Sequence, residues 1–147
     1  MKFLLKLHSV WWDVPPTVTI KINDQVHYHG TVTAPKDQPQ TIEFVHDNVQ
    51  PGAQCLEIML SGKEDSQTVV EHGEIIKDQL LGIDQIEIDN IDLGSLSLLK
   101  GRYYPIYSKA WQIEQQLLGN SLPEYLELVN LMGYNGSWKL EFTAPFH

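Results

Sequence analysis

Alternation of apolar and polar residues with a period of two is the feature that most narrows what this 147-residue chain can fold into. Successive side chains of a β-strand point to opposite faces, so such alternation indicates a strand with one buried face. The pattern recurs in TVTIKI (17–22), VHYHGTVT (26–33), QTIEFVHD (40–47), CLEIMLSG (55–62) and SWKLEFTAPF (137–146). The sequence therefore predicts a mainly β protein, with strands near both ends of the chain.

Turn residues separate these strands. NDQ (23–25) predicts a hairpin, and NVQPGAQ (48–54) predicts a loop, because proline and glycine interrupt regular structure. The alternation in IDQIEIDNIDL (83–93) shifts twice, which predicts a bulge or a turn at Asp84 to Gln85 and at Asp89 to Asn90. Many short strands joined by such turns favour an antiparallel β-sandwich of jelly-roll type.

One segment changes to helical spacing. In SKAWQIEQQLLGNSLPEYLELVNLMG (108–133), apolar residues recur every three or four positions. We predict a helical insertion over about 109–132, in two parts, the second beginning after Ser121 and ending at Gly133. The sandwich with this short helical excursion before the last strand is expected to form one domain over 1–147.

Composition excludes several classes of partner. A formal net charge of −9 repels phosphate backbones and anionic lipid surfaces, so neither nucleic acid nor membrane is expected to bind. The N-terminal MKFLLKLHSVWWDVPP resembles a first strand more than a secretory leader, which predicts a soluble protein made in the cytosol. The single cysteine, Cys55, cannot form an intrachain disulfide and is expected to be buried.

No sequence motif indicates an enzyme. The segment GSLSL (94–98) lacks the second glycine of a nucleophile elbow, and the glycines form no phosphate-binding loop. We therefore predict no catalytic residues.

The stretch from Ser61 to Gly94 is crowded with carboxylates, which leaves a metal site, a catalytic site or a solvated face as interpretations. The strand carboxylates favour the solvated face. DNIDLG (89–94) does not match a calcium-binding EF-hand loop, because Ile91 and Leu93 stand where oxygen donors are needed. Loop oxygens can still bind calcium, and the residues predicted to do so are Glu64, Asp65 and Asp78. Apart from calcium at these residues, no cofactor is expected.

Exposed aromatic residues are the remaining candidates, because sugars and protein partners both pack on flat rings. The sequence predicts ligand or subunit contacts from two groups, Trp11 with Trp12, and Tyr103, Tyr104 and Tyr107 with Trp111. Trp11 and Trp12 are adjacent, so only one of them is expected to enter the core. His27 and His29 are spaced as a pair on one face of a strand, and an exposed strand face is preferred to a transition-metal site.

The order of VTIKINDQVHYHG (18–30), the whole 61–94 stretch, YYPIY (103–107) and GYNGSWKLEFTAPF (133–146) resembles small β-sandwich virion proteins of tailed phages of marine and aquatic bacteria. Those proteins are similar to calcium-dependent, xylan-binding carbohydrate modules. The second resemblance is carried mainly by residues 18–30 and 82–94.

The first resemblance implies a non-enzymatic structural protein of a phage virion, as a capsid decoration or a tail-associated protein. It would be made in the bacterial host cytoplasm, would associate with itself and with other virion proteins, and could contact a cell-surface glycan. The second implies the alternative, a calcium-dependent carbohydrate-binding module.

Overall fold

The computed structural model describes residues 1–47 and 49–144. In chain order, the strands are β1 (Lys2–Val10), β2 (Thr17–Ile22), β3 (Gln25–Thr31), β4 (Gln40–Val45), β5 (Gly52–Ser61), β6 (Val69–Glu71), β7 (Glu74–Lys77), β8 (Leu80–Ile88), β9 (Ile91–Asp92), β10 (Arg102–Pro105), β11 (Leu126–Glu127), β12 (Leu131–Met132) and β13 (Gly136–Ala144). The helices are α1 (Ser95–Lys100) and α2 (Lys109–Leu117), with a short 3-10 helix at Asp65–Gln67.

Two antiparallel sheets form a sandwich. The first has the strand order β12-β8-β1-β4, with β9 pairing with β8, and the second has the order β11-β10-β13-β5-β2-β3. A separate two-stranded sheet consists of β6 and β7. The predicted fold class is confirmed, whereas one domain over 1–147 stays a prediction.

The core lies between the two sheets and is supplied by alternate residues of their strands. The first sheet buries Phe3, Leu5, Leu7, Leu81, Ile83, Ile86 and Ile88, and the second buries Val18, Ile20, Ile22, Leu56, Ile58, Leu60, Trp138 and Leu140. Full burial of one such side chain contributes roughly 1.5–3 kcal/mol. Cys55 lies on the opposite face of β5 from Leu56 and is half-buried, so the prediction that it enters the core is wrong.

The two predicted tight turns and the bulge are present, whereas residues 52–54 of the predicted loop belong to β5 and Asn48 of that loop lies outside the described residues. Asn23 and Asp24 have positive φ angles of 49° and 69° between β2 and β3, and Asp89 and Asn90 have 50° and 67° between β8 and β9. Asparagine and aspartate tolerate this conformation, which matches the twist of a two-residue hairpin. Where β8 pairs with β1, the register shifts beside Asp84.

Asp84 and Gly82 of β8 accommodate a buried histidine. The Nδ1 atom of His8 lies 2.6 Å from Oδ2 of Asp84. His8 pairs with Gly82 across the two strands, and a Cβ atom at Gly82 would lie 1.9 Å from the imidazole. The absence of a side chain at residue 82 is therefore what lets the His8 ring lie against the sheet.

The helical insertion is shorter than predicted. α2 forms its first part, but the segment predicted as a second helix after Ser121 contains β11 and β12 instead. Its backbone is engaged by other elements, because the Val129 carbonyl accepts from Trp138 Nε1 at 3.1 Å and the Asn130 carbonyl accepts from the Ile83 amide at 2.8 Å. These tertiary contacts outweigh the local helical pattern. None of the helices within 1–47 and 49–144 has the length and apolar character needed to cross a bilayer.

An aromatic seam, formed by His27, Phe44 and His46, joins an edge strand of one sheet to an edge strand of the other. The His27 ring stacks on Phe44 at 4.6 Å, and its Nε2 atom lies 2.9 Å from Nδ1 of His46. The pairing of β2 with β3 shifts register at this point, so His27 is an inserted residue. Burial lowers the pKa of His27, and His46 lowers it further, while Asp47 acts in the opposite direction.

The seam should make stability depend on pH. Because the pKa of His27 is lower in the folded protein than in the unfolded chain, its contribution is complete above the unfolded value near 6.5 and is lost as the pH falls below it. We expect the melting temperature to fall between about pH 7.5 and about pH 5, and to fall less in His27→Gln. The matched control is His72→Asn in the exposed β6–β7 turn. Equal pH dependence in all three proteins would contradict this role for His27.

Candidate functional site

A cleft of about 430 Å³ brings together two of the predicted calcium ligands, Glu64 and Asp65, and two residues of the second aromatic group, Tyr107 and Trp111. It opens where the loop after β5 meets the segment before α2 and the turn before β13. Its lining includes Lys63, Glu64, Asp65, Thr68, Ile106, Tyr107, Ser108, Trp111, Gly133, Tyr134 and Asn135. We call it the 63–135 cleft.

One wall of the 63–135 cleft is aromatic and consists of Tyr107, Trp111 and Tyr134. Ser108 is the N-cap of α2, and its side chain accepts a hydrogen bond from the Trp111 amide at 3.2 Å. This bond fixes the first turn of the helix and therefore the position of Trp111. The rings of Tyr107 and Tyr134 meet edge to face with centroids 5.4 Å apart. Trp111 and Tyr134 remain 38% and 39% exposed. The wall therefore presents aromatic surface that the fold itself does not cover.

The Tyr107 hydroxyl is used inside the protein. It donates to the Pro123 carbonyl at 3.0 Å, and so ties the segment before α2 to the segment after it. Burial raises the pKa of this hydroxyl, and the neighbouring Tyr134 raises it further. Tyr107 is thus held as a neutral side chain whose ring, not its hydroxyl, is left for a ligand.

The opposite side is acidic and is anchored by Asn135. Glu64 and Asp65 are exposed at the start of the 3-10 helix. The preceding residue, Lys63, is held by the Asn135 side chain, whose Oδ1 accepts from the Lys63 amide and whose Nδ2 donates to the Lys63 carbonyl, both at 2.9 Å. This two-point bond fixes the acidic loop against the turn that carries Tyr134.

An ion pair connects the cleft to the neighbouring groove, because Lys63 lines the cleft and Asp78 lines the groove beside it. Lys63 Nζ donates to Asp78 Oδ1 at 2.7 Å and to the Gly133 carbonyl at 2.6 Å. The same oxygen of Asp78 accepts from Thr68 Oγ1 at 2.7 Å and from the Gln79 amide at 2.8 Å. The side chains of Lys63 and Asp78 are only 9% and 16% exposed. The negative charge of Asp78 is therefore balanced by the ammonium group of Lys63.

The predicted calcium ligands do not fit an ion in this arrangement. Calcium needs six to eight oxygens that converge on one point. Asp78 Oδ1 already faces an ammonium group, while Glu64 and Asp65 are exposed. Within 1–47 and 49–144, no group of three or more His, Cys, Asp or Glu side chains is arranged to hold a metal ion.

The other carboxylates of the acidic stretch mostly serve local structure. Asp89 accepts from the Lys2 amide at 2.8 Å, Asp92 accepts from the Gly94 amide at 2.9 Å, and Glu87 accepts from the Gln85 side chain at 2.8 Å. Each bond satisfies a backbone or side-chain donor near a turn or a bulge. The structure thus gives these carboxylates local bonding partners on the strand surface.

Trp11 and Trp12 lie in a different groove. It has a volume of about 450 Å³ and is lined by Val10, Trp11, Trp12, Ile75, Ile76, Lys77, Asp78 and Leu80. Both indoles are anchored, since Trp11 Nε1 donates to the Thr33 carbonyl at 3.3 Å and Trp12 Nε1 to the Gln67 carbonyl at 2.9 Å. Lys77 Nζ lies 4.6 Å from the Trp12 ring centre. Neither indole enters the core, so the expectation that one would do so is wrong.

Tyr103 and Tyr104 point to opposite faces of β10. Tyr103 is buried, and its hydroxyl donates to the Tyr134 carbonyl and accepts from the Tyr134 amide. Tyr103 therefore holds the backbone of Tyr134, which belongs to the aromatic wall, and its own buried ring is not accessible to a ligand. Tyr104 is half-buried on the outer face of the sheet, 5.7 Å from the Tyr125 ring and 5.2 Å from Lys139 Nζ.

His27 and His29 do not act together. His29 Nδ1 lies 2.8 Å from the Thr19 hydroxyl, whereas His27 faces His46. His27 is itself the inserted residue of β3, and a bulge bends the strand where it occurs, so His27 and His29 face different neighbours.

Sequence reasoning missed Lys63, Tyr134 and Asn135. The only local signal was the turn sequence GYNG (133–136), which reads as an entry to the last strand. Their importance comes from contacts between distant parts of the chain: Lys63 and Asn135 are bonded at a separation of 72 residues, and Tyr134 and Tyr103 at a separation of 31.

The comparisons with known proteins concern the fold. No protein-family model matches the sequence, and no curated protein matches it. Among solved structures, vCBM60 in complex with galactobiose has a TM-score of 0.56 and 9% identity, over 97% of this chain and 98% of that chain. The selenomethionine form of vCBM60 has a TM-score of 0.59 and 8% identity, over 95% of this chain and 88% of that chain. It is described with a circular permutation that links two families of calcium-dependent carbohydrate binding modules.

The protein therefore has the β-sandwich fold of a carbohydrate-binding module. The similarity extends over nearly the whole of both chains, while the identity is too low to show more than the fold. The part of the sequence resemblance that concerns the fold of carbohydrate modules is confirmed.

The bond between Tyr103 and Tyr134 gives a test of how the wall is built. Tyr103→Phe should lower the free energy of unfolding by roughly 1–3 kcal/mol, because the Tyr134 amide and carbonyl lose their partner. Tyr104→Phe on the outer face is the control and should have a smaller effect. Chemical unfolding measures both. Equal losses in the two variants would show that the buried hydroxyl has no special role.

Proposed function

We propose that this protein is a non-catalytic glycan-binding module and that the 63–135 cleft is its binding site. The observation that carries the proposal is the aromatic wall, in which Trp111 and Tyr134 stay well exposed in the same cleft as Glu64 and Asp65. The carbohydrate-module fold supports the same function.

The chemistry of the cleft suits a sugar. The apolar C–H face of a pyranose ring can stack on Trp111 or Tyr134, as rings pack on amphipathic aromatic side chains. The sugar hydroxyls can then donate to the Glu64 and Asp65 carboxylates, which make stronger hydrogen bonds than neutral acceptors do. A small number of polar groups in an aromatic cleft is typical of a ligand site that is already formed.

Charge narrows the class of glycan. The formal net charge of −9 and the two carboxylates at the cleft disfavour uronic acids and sulfated sugars. We therefore propose neutral oligosaccharides as ligands. Galactobiose, which is bound in one of the similar structures, belongs to this chemical class.

A binding role accounts for the carboxylates better than hydrolysis does. A glycosidase needs one carboxyl group in an apolar environment to act as general acid. Glu64 and Asp65 are consecutive residues that are both exposed, so the cleft does not separate their environments.

The virion role stays a prediction from the sequence resemblance. The comparisons give no support to a phage origin, to a capsid or tail position, to virion protein partners, to self-association or to a bacterial host. Binding of a cell-surface glycan is compatible both with a virion protein and with a separate carbohydrate-binding module, because it depends only on the cleft.

Isothermal titration calorimetry with galactobiose and with neutral xylo-oligosaccharides tests the proposal. We expect at least one of these sugars to bind, and Trp111→Ala to weaken it by about tenfold or more through loss of the stacking surface. Ile113→Ala is the matched control, because Ile113 is exposed on the same helix and does not line the cleft. Trp11→Ala tests the second groove in the same way.

Two results would overturn this assignment. If Trp11→Ala abolishes binding and Trp111→Ala does not, the site lies in the groove beside β7. If a broad array of neutral glycans gives no binding to the intact chain, the protein is not a glycan-binding module of this class.

A further inference from the structure

We propose that the Lys63 ammonium takes the place of a bound cation at the edge of the 63–135 cleft, so that the cleft is formed without calcium. One of the similar structures is described with families of calcium-dependent modules, whereas in this chain Asp78, one of the three residues expected to bind calcium, is paired with a lysine.

The surroundings of Lys63 Nζ are those of a cation site. A carboxylate oxygen of Asp78 and the main-chain carbonyl of Gly133 lie at 2.7 Å and 2.6 Å. Carboxylate and carbonyl oxygens are also the ligands that calcium prefers. The ammonium satisfies them with a charge that belongs to the chain.

Calcium would have to compete with this ammonium. Calcium binds oxygen at about 2.3–2.6 Å, so an ion on Asp78 Oδ1 would lie within a few ångströms of Lys63 Nζ. At such a distance two cations in a poorly solvated site repel strongly. Displacing the ammonium would break its bonds to Asp78 and to the Gly133 carbonyl, and the Lys63 backbone would stay in place because Asn135 holds its amide and carbonyl.

The position of Lys63 links its charge to the shape of the cleft. Glu64 and Asp65 follow it directly along the chain, and Gly133, whose carbonyl it binds, immediately precedes Tyr134. One ammonium therefore joins the acidic side of the cleft to its aromatic wall. Lys63 is a positioning residue, and its effect on glycan affinity rests on the proposed function, whereas its effect on stability does not.

The first test compares the intact protein in millimolar calcium and in excess EDTA. A cation that binds the folded state raises the melting temperature by mass action. We expect the same melting temperature and the same glycan affinity in both solutions. A rise of several degrees with calcium, or loss of glycan binding with EDTA, would overturn the proposal.

The second test removes the ammonium. Lys63→Met keeps the length of the side chain and leaves a largely buried carboxylate unpaired, so we expect the melting temperature to fall by about 5–15 °C. Lys36→Met is the control, because Lys36 is exposed. Adding Asp78→Asn to Lys63→Met should recover part of the loss, since the unpaired charge is then gone.

The two tests separate this proposal from the glycan function. If Lys63→Met behaves like Lys36→Met, or if Asp78→Asn and Lys63→Met have additive effects, the ammonium does not hold the cleft. If Lys63→Met fails to fold, the melting temperature of Asp78→Asn alone and the calcium comparison still test whether the ammonium replaces a bound cation. Absence of any glycan binding would refute the glycan function and leave the melting results valid.

Discussion

The indole of Trp138 is the contact on which the arrangement of the second sheet depends. It is buried between the sheets on β13, the strand that pairs with both β5 and β10. Its Nε1 atom donates to the Val129 carbonyl, and a Cβ atom at Gly101 would lie 2.1 Å from its ring. One side chain thus sets how closely the end of α1 approaches the sheet and where the segment before β12 runs. The aromatic wall of the cleft stands on the same framework, because Tyr103 neighbours Trp138 across the β10–β13 pairing.

Charge has a different role in the interior and at the surface. The surplus of acidic residues keeps most carboxylates on turns and strand faces, where they satisfy nearby amides. Asp78 and Asp84 are the exceptions with a cationic or imidazole partner, each in a partly buried position. Because a largely buried carboxylate is costly without a partner, Lys63 and His8 constrain the backbone around them more than exposed pairs would.

The sequence predicted the strands and tight turns well because both depend on neighbouring residues. Alternation located the buried faces of β2, β5 and β13, and the Asn23–Asp24 and Asp89–Asn90 pairs located two hairpins. The error at Ser121–Gly133 has a clear origin, since long-range bonds to Trp138 and Ile83 override the local helical pattern. Tyr107, Trp111, Glu64 and Asp65 were identified as candidates, but their meeting in one cleft depends on Lys63 and Asn135, which no local pattern marks. The ligand and metal roles first assigned to these side chains remain predictions.

The long connection between β10 and β13 begins and ends at the same place, because Pro105 and Gly136 face each other in the sheet. The second half of the connection pairs with both sheets through β11 and β12, whereas the first half, which carries α2 and Trp111, forms no strand of either sheet. The entropy of loop closure changes only slowly with loop length, by about 0.6 kcal/mol for each doubling. Insertions, deletions and exchanges in residues 106–125 can therefore change what the protein recognises while the sandwich, which includes β11, β12 and the buried Met132, stays the same.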